Sequence, residues 1–534
     1  YLELHRACQT TQARTKRHNR KSEVLLHDTE FFCALGSLDG VPYDHAGIWE
    51  AWKPVLMNQF HDILPGSSIT EVYQQTEIDY LEAQEKAKAV QQRAVDALCK
   101  NIDTSGTGAP LVVFNSLSWV RSGVASVEFD ARKPDIAVLD PSGHAVAHQW
   151  TGKSTLLFQV EGIPPLGWAV YRIIEGKRPA KSDAELRAGT TSMENEYLEL
   201  RMDRDGRITR LFDKITERDS LAKGSPANVL QLFEDRPHLH DAWDFDHNFE
   251  RKMWEPKTSE PPRVIENGPV RAVVRVVRRT DRSTITQDIT LNAGSPRVEF
   301  VTRVDWHEKH VLLKAAFPVA IRSSRATYEI QYGAIERSTH HNTPFDRARF
   351  ENTALRWVDL SEGDYGVSLL NDCKYGHDVR DNVLRISLLR SSTDPDPIAD
   401  EGHHEFTYAL YPHANDWRND TVRQGLELNT PFVVHATTSR KGMLSPVASF
   451  ASVDAENVVI DWIKKHEDSK ALIIRLYEAY GQRGPVTITF DQKVRGISEC
   501  NLMEEQDIPA RVVENSVTLD ITPFELRTLK VLFA

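Results

Sequence analysis

The hydrophobic pattern of this chain changes its period once, and that change constrains the fold more than any other feature. Before residues 101–110 (NIDTSGTGAP), apolar residues recur at helical spacings. After them, short β-branched or aromatic runs are separated by Gly, Pro, Asp and Asn, which is typical of strands joined by turns. We therefore predict an α+β multidomain protein in which an N-terminal three-helix bundle is followed by β-sandwich domains.

Three amphipathic segments make up the predicted helical part. The first covers residues 11–36, and the second carries one apolar face until Leu64-Pro65-Gly66 ends it. A capping-box pattern at Ser68-Ile69-Thr70-Glu71 predicts the start of the third, which continues to about residue 100. The apolar face of the second segment consists of Ile48, Trp52, Val55, Leu56 and Phe60.

The length of 534 residues suggests three or four domains at roughly 150 residues each. The expected domains are a helical bundle over residues 1–100, a small β domain over 111–176, a large β-sandwich over 190–440 and a terminal β domain over 441–534. The polar segment 176–192 is typical of a linker.

The first four residues, Tyr1-Leu2-Glu3-Leu4, alternate like a strand already under way, and the chain does not begin with methionine. We expect that this N-terminus arose by truncation or cleavage.

Composition argues against two classes of partner. Lys plus Arg number 65 and Asp plus Glu number 77, so the formal net charge is −12, which argues against nucleic-acid binding. No apolar run approaches the roughly 18 residues of a membrane-spanning helix. The 5 cysteines are scattered without a CxxC pair, which favours a reduced compartment and predicts a cytoplasmic location.

The most unusual local feature is His61-Asp62, which stands where the second helix gives way to a Pro-Gly turn. A helix end fixes the backbone while the side chains project, so His61 could bind a metal and Asp62 a substrate hydroxyl. The alternative is a histidine that hydrogen-bonds helix carbonyls beside a solvated aspartate. Spacing alone favours this second interpretation, because no further ligand lies at helical spacing.

The second unusual feature is the segment 235–246 (DRPHLHDAWDFD), which has no clear period and is predicted to be a loop. Carboxylates pair with sugar hydroxyls and an indole ring stacks on a sugar face, so Trp243, Asp244 and Asp246 are candidates for sugar binding. The alternative is an ordered surface loop with Trp243 packed inward.

Other candidate motifs are weaker. His307-Glu308-Lys309-His310 resembles a zincin motif but has Val311 where the second histidine is needed. Adjacent histidines at 340–341 and 403–404 would point to opposite faces of a strand, so we expect loops or solvated faces there. The basic run from Arg14 to Lys21 is expected to form a solvated helix face, with anion binding as the alternative.

Taken in order along the chain, these and other segments resemble the middle and C-terminal parts of glycoside hydrolase family 38 α-mannosidases, nearest their cytosolic and bacterial branch. The segment Trp52–Ser68 (WKPVLMNQFHDILPGSS) is similar to the family's most recognisable helix-end motif. The other matching segments are Asn195–Tyr197, Asp203–Asp213, Gln231–Pro237, Val304–Glu308, Gly366–Gly376, His404–Leu410 and Arg475–Ala479.

Members of this family are retaining glycosidases with one catalytic Zn²⁺, so the resemblance implies zinc as the cofactor and an α-mannoside oligosaccharide as the substrate. It implies that His61 is the zinc ligand from the helical domain and that Asp62 holds hydroxyls of the sugar being cleaved. Trp243, Asp244 and Asp246 would approach the substrate from the β domain.

The resemblance also implies what these residues lack. In the family the other zinc ligands, the nucleophile and the acid/base lie in an N-terminal β/α-barrel-like domain, which would precede Tyr1. Double displacement needs two carboxyl groups about 5 Å apart, and we expect no catalytic residue of that kind within this chain. His5-Arg6-Ala7-Cys8-Gln9-Thr10-Thr11 departs at Ala7, Cys8 and Gln9 from the His-Arg-Gly-Thr-Tyr-Thr that relatives usually have near the substrate.

Three functional interpretations remain open at this point. The first is the C-terminal portion of a retaining, zinc-dependent α-mannosidase that is inactive without its N-terminal catalytic domain. The second is a non-catalytic carbohydrate-binding or scaffolding protein. The third, a stand-alone hydrolase with new carboxylates in the 235–246 loop, has the least support. Assembly into a homo-oligomer is open as well.

Overall fold

The computed structural model describes residues 5–132, 135–176 and 185–534. The strand expected at Tyr1-Leu2-Glu3-Leu4 lies outside the described residues, as do residues 177–184 of the linker expected at 176–192. The described end of that segment contains strand Arg187–Gly189. The chain forms two compact units. Unit 1 comprises Tyr1–Ser22, Pro54–Leu81 and Ala184–Asn429, and unit 2 comprises Glu23–Lys53, Glu82–Asp183 and Thr430–Ala534.

Three long helices form the N-terminal part, after a 3-10 turn at Ala7–Gln9. They are α1 (Ala13–Leu38), α2 (His45–Asn58) and α3 (Thr70–Asn101). The first strand begins at Ala109, so the change of period in the sequence coincides with the change from helix to sheet. The prediction of three N-terminal helices followed by antiparallel β domains is confirmed. None of the described helices combines the length and the apolar character that crossing a membrane requires.

Two local predictions about these helices are wrong. In α2, Ile48 and Val55 are buried, but Leu56 is half exposed because it lies about 100° further round the helix; Phe60, beyond the helix end, is half exposed as well. The third helix, Thr70–Asn101, has the predicted bounds, but its predicted capping box is wrong, because the Ser68 hydroxyl donates a hydrogen bond to the Asp62 carbonyl oxygen at 2.8 Å.

The basic run at the start of α1 is not a solvated face. Lys16 and Arg20 are buried. The Lys16 ammonium donates hydrogen bonds to the carbonyl oxygens of Thr11 and Leu64, and the Arg20 guanidinium lies over the Tyr375 ring. Sequence periodicity assigned these cations to solvent, whereas the first turns of α1 pack inside unit 1.

Antiparallel sheets make up the rest of unit 1, and each is given in spatial order among the described residues. The first sheet contains Arg218–Asp219, Ile208–Asp213, Leu198–Met202, Ser192–Glu194 and Arg187–Gly189. The second contains Met253–Trp254, Val229–Glu234, Val311–Pro318, Val383–Arg390, Gly376–Arg380 and Asn352–Thr353. The third contains Lys257–Thr258, Arg271–Arg279, Thr284–Asn292, Val298–Trp306, Gly402–Ala414, Tyr365–Asn371, Trp357–Ser361, Arg325–Ile330 and Gly333–Ser338, with Arg263–Asn267 paired to Arg271–Arg279.

The sheets of unit 2 are also antiparallel. One contains Val433–Ala436, Ala109–Asn115, Gly167–Glu175, Ile136–Leu139 and Ala145–Val146, with Val447–Ser449 beside Gly167–Glu175. A second contains Arg121–Glu128, Thr155–Ile163 and His148–Thr151. The C-terminal strands form two sheets, which are Ala451–Val453, Gly484–Phe490, Ser516–Ile521 and Val512–Val513, and Val458–Lys465, Leu472–Glu478, Leu526–Phe533, Val494–Cys500 and Ile508–Pro509.

Some of these strands bury one face, whereas others, such as Tyr365–Asn371, are buried on both faces. In Val298–Trp306 every second side chain is buried, as the two-residue period of a strand requires. Two short helices, α4 (Pro344–Ala348) and α5 (Thr421–Asn429), interrupt the β region of unit 1. A 3-10 turn at Phe249–Arg251 follows the loop that contains Trp243.

Candidate active-site region

The turn after α2 is held rigidly while its His61 side chain remains free. The buried Asn58 side-chain amide donates to Pro54 O at 2.8 Å and to Asp79 Oδ2 at 3.1 Å, so the helix end is tied to α3. Gly66 adopts a φ of +101°, and a Cβ atom there would lie 2.6 Å from the Thr11 carbonyl oxygen. Only glycine fits this close approach without displacing backbone.

His61 and Asp62 lie side by side on this turn. The His61 side chain is 77% exposed, and its Nε2 lies 3.5 Å from Asp62 Oδ2. The other Asp62 oxygen accepts a hydrogen bond from the Ser67 hydroxyl at 3.1 Å. The helix-capping interpretation requires a hydrogen bond from the His61 ring to a helix carbonyl. Within the described part of the chain the ring makes no such bond. The turn therefore presents an imidazole and a carboxylate to solvent.

The segment Ala7–Thr11 adjoins this turn on one side. The Lys16 Nζ donates to Thr11 O at 2.5 Å and to Leu64 O at 2.8 Å, which joins the segment to the turn that follows His61. Burial lowers the pKa of Lys16 to about 8, and the nearby Cys8 and Asp400 partly offset this effect. The ammonium is thus bound mainly by neutral carbonyl groups.

The same segment adjoins the 235–246 loop on its other side. The Ala7 amide donates to Trp243 O at 2.9 Å, and the Thr11 hydroxyl lies 3.1 Å from Ala242 O. Burial raises the pKa of the Cys8 thiol, and the Asp244 carboxylate acts in the same direction. One short segment, Ala7–Thr11, therefore brings together the two regions that the sequence singled out.

The acidic side chains of the loop divide into two kinds. Asp235 is buried against Arg390, with Asp235 Oδ2 2.5 Å from Arg390 Nε, and Asp241 accepts a hydrogen bond from the Thr393 amide at 2.7 Å. These two carboxylates support the loop. Asp244 is partly exposed, and desolvation raises its pKa while the Phe245 amide and nearby arginines oppose the shift. Asp246 is partly exposed too, and its Oδ1 accepts a hydrogen bond from the Asn248 amide.

Trp243 is neither fully buried nor fully exposed. Its ring centroid lies 5.0 Å from that of His5 and 5.3 Å from that of His240. His240 adopts a φ of +57°, in the left-handed region that histidine, like asparagine and aspartate, adopts more often than other side chains do. The partly exposed Trp243 ring and the exposed His5 and His240 rings thus form one aromatic surface beside Asp244.

Sequence reasoning missed Arg390, which is fully buried at the end of strand Val383–Arg390. Its Nη2 donates to Asp244 O at 2.7 Å, and its Nη1 donates to Asp241 O and to Thr11 Oγ1. No local signal could have found it, because its partners are distant in sequence.

The described residues do not complete a metal site. Among them no group of three or more His, Cys, Asp or Glu side chains is arranged to hold a metal ion. A catalytic zinc takes three protein ligands, and His61 with Asp62 supplies two donors at most. These residues fit a partial contribution to a zinc site and not a whole one.

The weaker histidine candidates do not form a second candidate metal site among the described residues. His307 Nε2 lies 2.9 Å from Asp305 Oδ1 on the edge of an ion-paired surface. His403 and His404 lie on the strand Gly402–Ala414 and, as neighbours in a strand, differ in exposure. The expectation of a loop or solvated face is wrong for His404, which is buried; burial and the nearby Lys374 lower its pKa to about 3.

Comparison with known families gives matches over three parts of the chain. The "Alpha mannosidase middle domain" matches residues 3–98. The "Glycosyl hydrolases family 38 C-terminal domain" matches 193–398, and the "Glycosyl hydrolases family 38 C-terminal beta sandwich domain" matches 457–529.

Curated relatives match nearly the whole chain. Alpha-mannosidase 2C1 of Homo sapiens is 34% identical over 545 residues, which cover 99% of this chain and 50% of the relative. Alpha-mannosidase G of Dictyostelium discoideum is 31% identical, with 99% and 52% covered. Alpha-mannosidase of Saccharomyces cerevisiae is 28% identical, with 100% and 48% covered. The chain therefore spans about half the length of these relatives.

A solved structure, an alpha-mannosidase from Enterococcus faecalis V583, shares the fold. The TM-score is 0.83 at 19% sequence identity, and the match covers 98% of this chain and 68% of that one. At this identity the likeness speaks for the fold alone.

Proposed function

The chain carries the middle and C-terminal domains of the α-mannosidases of glycosyl hydrolase family 38, and from this premise we propose that it forms part of a retaining, zinc-dependent enzyme that hydrolyses terminal α-mannosides of oligosaccharides. His61 provides one ligand to the zinc ion. Asp62, Trp243, Asp244 and Asp246 contact the sugar. The nucleophile and the acid/base come from a catalytic domain of the kind that the family resemblance places N-terminal to these residues.

One observation carries this proposal. The short segment Ala7–Thr11 contacts the turn after His61 through Lys16 and Gly66, and contacts the 235–246 loop through Ala7 N and Thr11 Oγ1. Two polar features far apart in the sequence therefore adjoin the same few residues, as the walls of one substrate site would. A pair of unrelated surface features has no reason to share a support.

The side chains suit a sugar. Partly exposed carboxylates at Asp62 and Asp244 accept hydrogen bonds from hydroxyl groups, and such charge-assisted bonds are stronger than neutral ones. The Trp243 indole offers an apolar face for the C–H side of a pyranose ring. Desolvation raises the pKa of Asp244, so a hydrogen bond donated by a sugar hydroxyl would stabilise its charged form.

In this proposal the zinc ion is shared between His61 and ligands outside the described residues. When bound, it would act as a Lewis acid that orients sugar hydroxyls. The exposed His61 imidazole is free to coordinate, but the rest of the coordination sphere must come from outside the described residues.

The surface before His61 supports a partner domain at this place. Leu56, Met57 and Phe60 are 50%, 67% and 54% exposed. Large apolar side chains grouped next to a polar site favour contact with another folded surface. We propose that the catalytic domain covers them.

All 5 cysteines lie in the described part of the chain and all are free thiols. This state supports the proposed cytoplasmic location, because thiols persist in reducing compartments. Neither nucleic acid nor a membrane is part of the proposal.

A non-catalytic carbohydrate-binding role is the second candidate, favoured by the incomplete donor set around His61. The two candidates differ in what His61 and Asp62 do. The test joins this chain to the catalytic domain and measures kcat on an aryl α-mannoside together with zinc content. His61→Ala should lower both, whereas Asp62→Ala should keep zinc and lose about a hundredfold or more in kcat, equivalent to ~3 kcal/mol at the transition state.

His403→Ala, at an exposed histidine that is none of the proposed zinc or sugar contacts, is the control and should match the wild type. Near wild-type kcat in Asp62→Ala would remove Asp62 from the site and favour the binding role. The 534-residue chain by itself, dialysed against zinc, should not retain a stoichiometric ion.

A further inference from the structure

We propose that Arg390 is the positioning residue of the candidate sugar site, because one guanidinium group fixes the loop that contains Trp243 and Asp244 against the segment Ala7–Thr11. The role of the loop in sugar binding rests on the proposed function, whereas the effect of Arg390 on the loop can be tested without it. Nothing in the family resemblance or in the sequence pattern singled out this residue.

The contacts of Arg390 use all three of its nitrogens. Nε donates to Asp235 Oδ2 at 2.5 Å. Nη2 donates to the Asp244 carbonyl oxygen at 2.7 Å and lies 3.3 Å from Asp241 Oδ1. Nη1 donates to the Asp241 carbonyl oxygen and lies 3.2 Å from Thr11 Oγ1. The planar donor fork of arginine therefore binds both ends of one turn and the neighbouring segment at once.

The bond to Asp235 extends this hold further along the loop. Asp235 Oδ1 accepts a hydrogen bond from the Asp246 amide at 2.8 Å. The Arg390 guanidinium also lies over the Phe245 ring, 5.2 Å from its centroid. From Asp241 to Asp246 the backbone is thus fixed at its start, middle and end by groups that depend on Arg390.

The position of Arg390 in a rigid strand explains why its hydrogen bonds can fix the loop in one place. The side chain is 0% exposed and ends a strand that is paired along its length with Val311–Pro318. A hydrogen-bond donor on a rigid strand transfers the rigidity of the sheet to an otherwise irregular loop. Trp243 and Asp244 have no strand or helix of their own to hold them.

A lysine at 390 keeps the charge but loses the fork, so it can satisfy Asp235 and few of the other acceptors. In Arg390→Lys we expect amide hydrogen exchange of residues 240–249 and 6–12 to rise at least tenfold. Thr11→Val, which removes only the hydroxyl between the two segments, should raise exchange in the same two segments about threefold. The measurement uses the whole 534-residue chain.

The matched control is Arg278→Lys. Arg278 is also buried in unit 1 and also donates to backbone carbonyls, those of Asp205 and Gly206, but it touches neither segment. It should raise exchange near 203–207 and leave 240–249 and 6–12 as in the wild type. If Arg390→Lys does not fold, Thr11→Val decides. Unchanged exchange in both segments of a folded variant, or an equal rise in the Arg278 control, would overturn the proposal.

A second readout separates positioning from general support. In the chain joined to its catalytic domain, Arg390→Lys and Thr11→Val should raise KM for an aryl α-mannoside about tenfold and threefold, with kcat and zinc content nearly unchanged. Arg278→Lys should leave KM unchanged. If exchange rises as expected while KM does not move, the positioning of the loop stands and the sugar-binding role of Trp243 and Asp244 in the proposed function fails.

Discussion

The sheet that contains Arg390 and the C-terminal sheet that contains Leu472–Glu478 differ in how much charge they bury. In the first, Lys314 is fully buried and paired with Glu351 and Asp378, and Arg385 bridges Asp378 and Glu250. In the second, strand Leu472–Glu478 buries an almost continuous apolar run.

Buried apolar groups and buried ion pairs contribute differently to the stability of a sheet. Apolar burial stabilises a sheet directly, at about 25 cal/mol per Å². Buried ion pairs roughly balance their own desolvation, so an apolar replacement of the whole set is often no less stable. The charged sheet therefore gains directional contacts rather than stability. This sheet also contains Arg390, on the same strand, Val383–Arg390, as Arg385.

The largest effect should come from breaking the charged set. Lys314→Met leaves Glu351 and Asp378 buried without their common cation, and we expect a loss of about 3–5 kcal/mol in the free energy of unfolding. Urea denaturation followed by tryptophan fluorescence measures it. A loss below about 1 kcal/mol would mean that the two carboxylates take up protons without cost, and the contrast between the sheets would then have no energetic basis.

A smaller effect is expected in the apolar sheet. Ile474 is fully buried, and Ile474→Val removes one methylene, so we expect about 1 kcal/mol. The same denaturation assay applies, with Ile508→Val at an exposed position as the control. A cost equal to that of Lys314→Met would show that the two sheets respond alike to local loss.

A buried pair in the third sheet of unit 1, His413 and Asp359, tests in another way whether buried charge contributes to stability. Burial alone lowers the pKa of His413, but the Asp359 carboxylate, 2.8 Å from Nε2, more than reverses this and raises the pKa above its ordinary value. The stabilisation is complete below about pH 6.5, where unfolded histidine is also protonated, and is lost as pH rises through the higher folded-state pKa.

Wild-type stability should therefore fall above pH 6.5 more steeply than that of His413→Gln. Urea midpoints measured from pH 6 to pH 9 test this, and His403→Gln on the same strand should follow the wild type. Parallel curves for the wild type and His413→Gln would show that the buried histidine does not titrate in this range.

The smallest effect belongs to an ion pair at the surface. Arg325 and Glu336 lie 2.8 Å apart on neighbouring strands, and both side chains are largely exposed. Arg325→Ala should cost less than about 0.5 kcal/mol, because solvent screens the pair. A cost above 1 kcal/mol would mean that exposure does not separate the two kinds of charge in this protein.

The element types were predictable because burial imposes a period. The helices and strands follow from apolar spacing, and the change at 101–110 located the boundary between them. The same reasoning failed for Lys16, Arg20 and His404, because composition assigns charged and basic side chains to solvent whatever the tertiary partners offer.

The candidate site was predictable only in its parts. His61 and the 235–246 loop stood out as local patterns, but their shared support on Ala7–Thr11 depends on contacts between residues 48 positions apart on the His61 side and 231 positions apart on the loop side. Arg390 has no sequence signature because its hydrogen-bond acceptors lie at least 146 positions away in the sequence. Roles of His61, Asp62, Trp243, Asp244 and Asp246 stay predictions.

The close approach of Gly66 to the Thr11 carbonyl has a genetic consequence. Every codon change that replaces this glycine adds a Cβ atom only 2.6 Å from that oxygen, in a backbone conformation that side chains disfavour. Gly143 and Gly152, which have open space around them, can vary to asparagine or aspartate at little cost. Selection should therefore tolerate substitutions at Gly143 and Gly152 and remove them at Gly66. In a library of random variants selected for folding, position 66 should remain glycine.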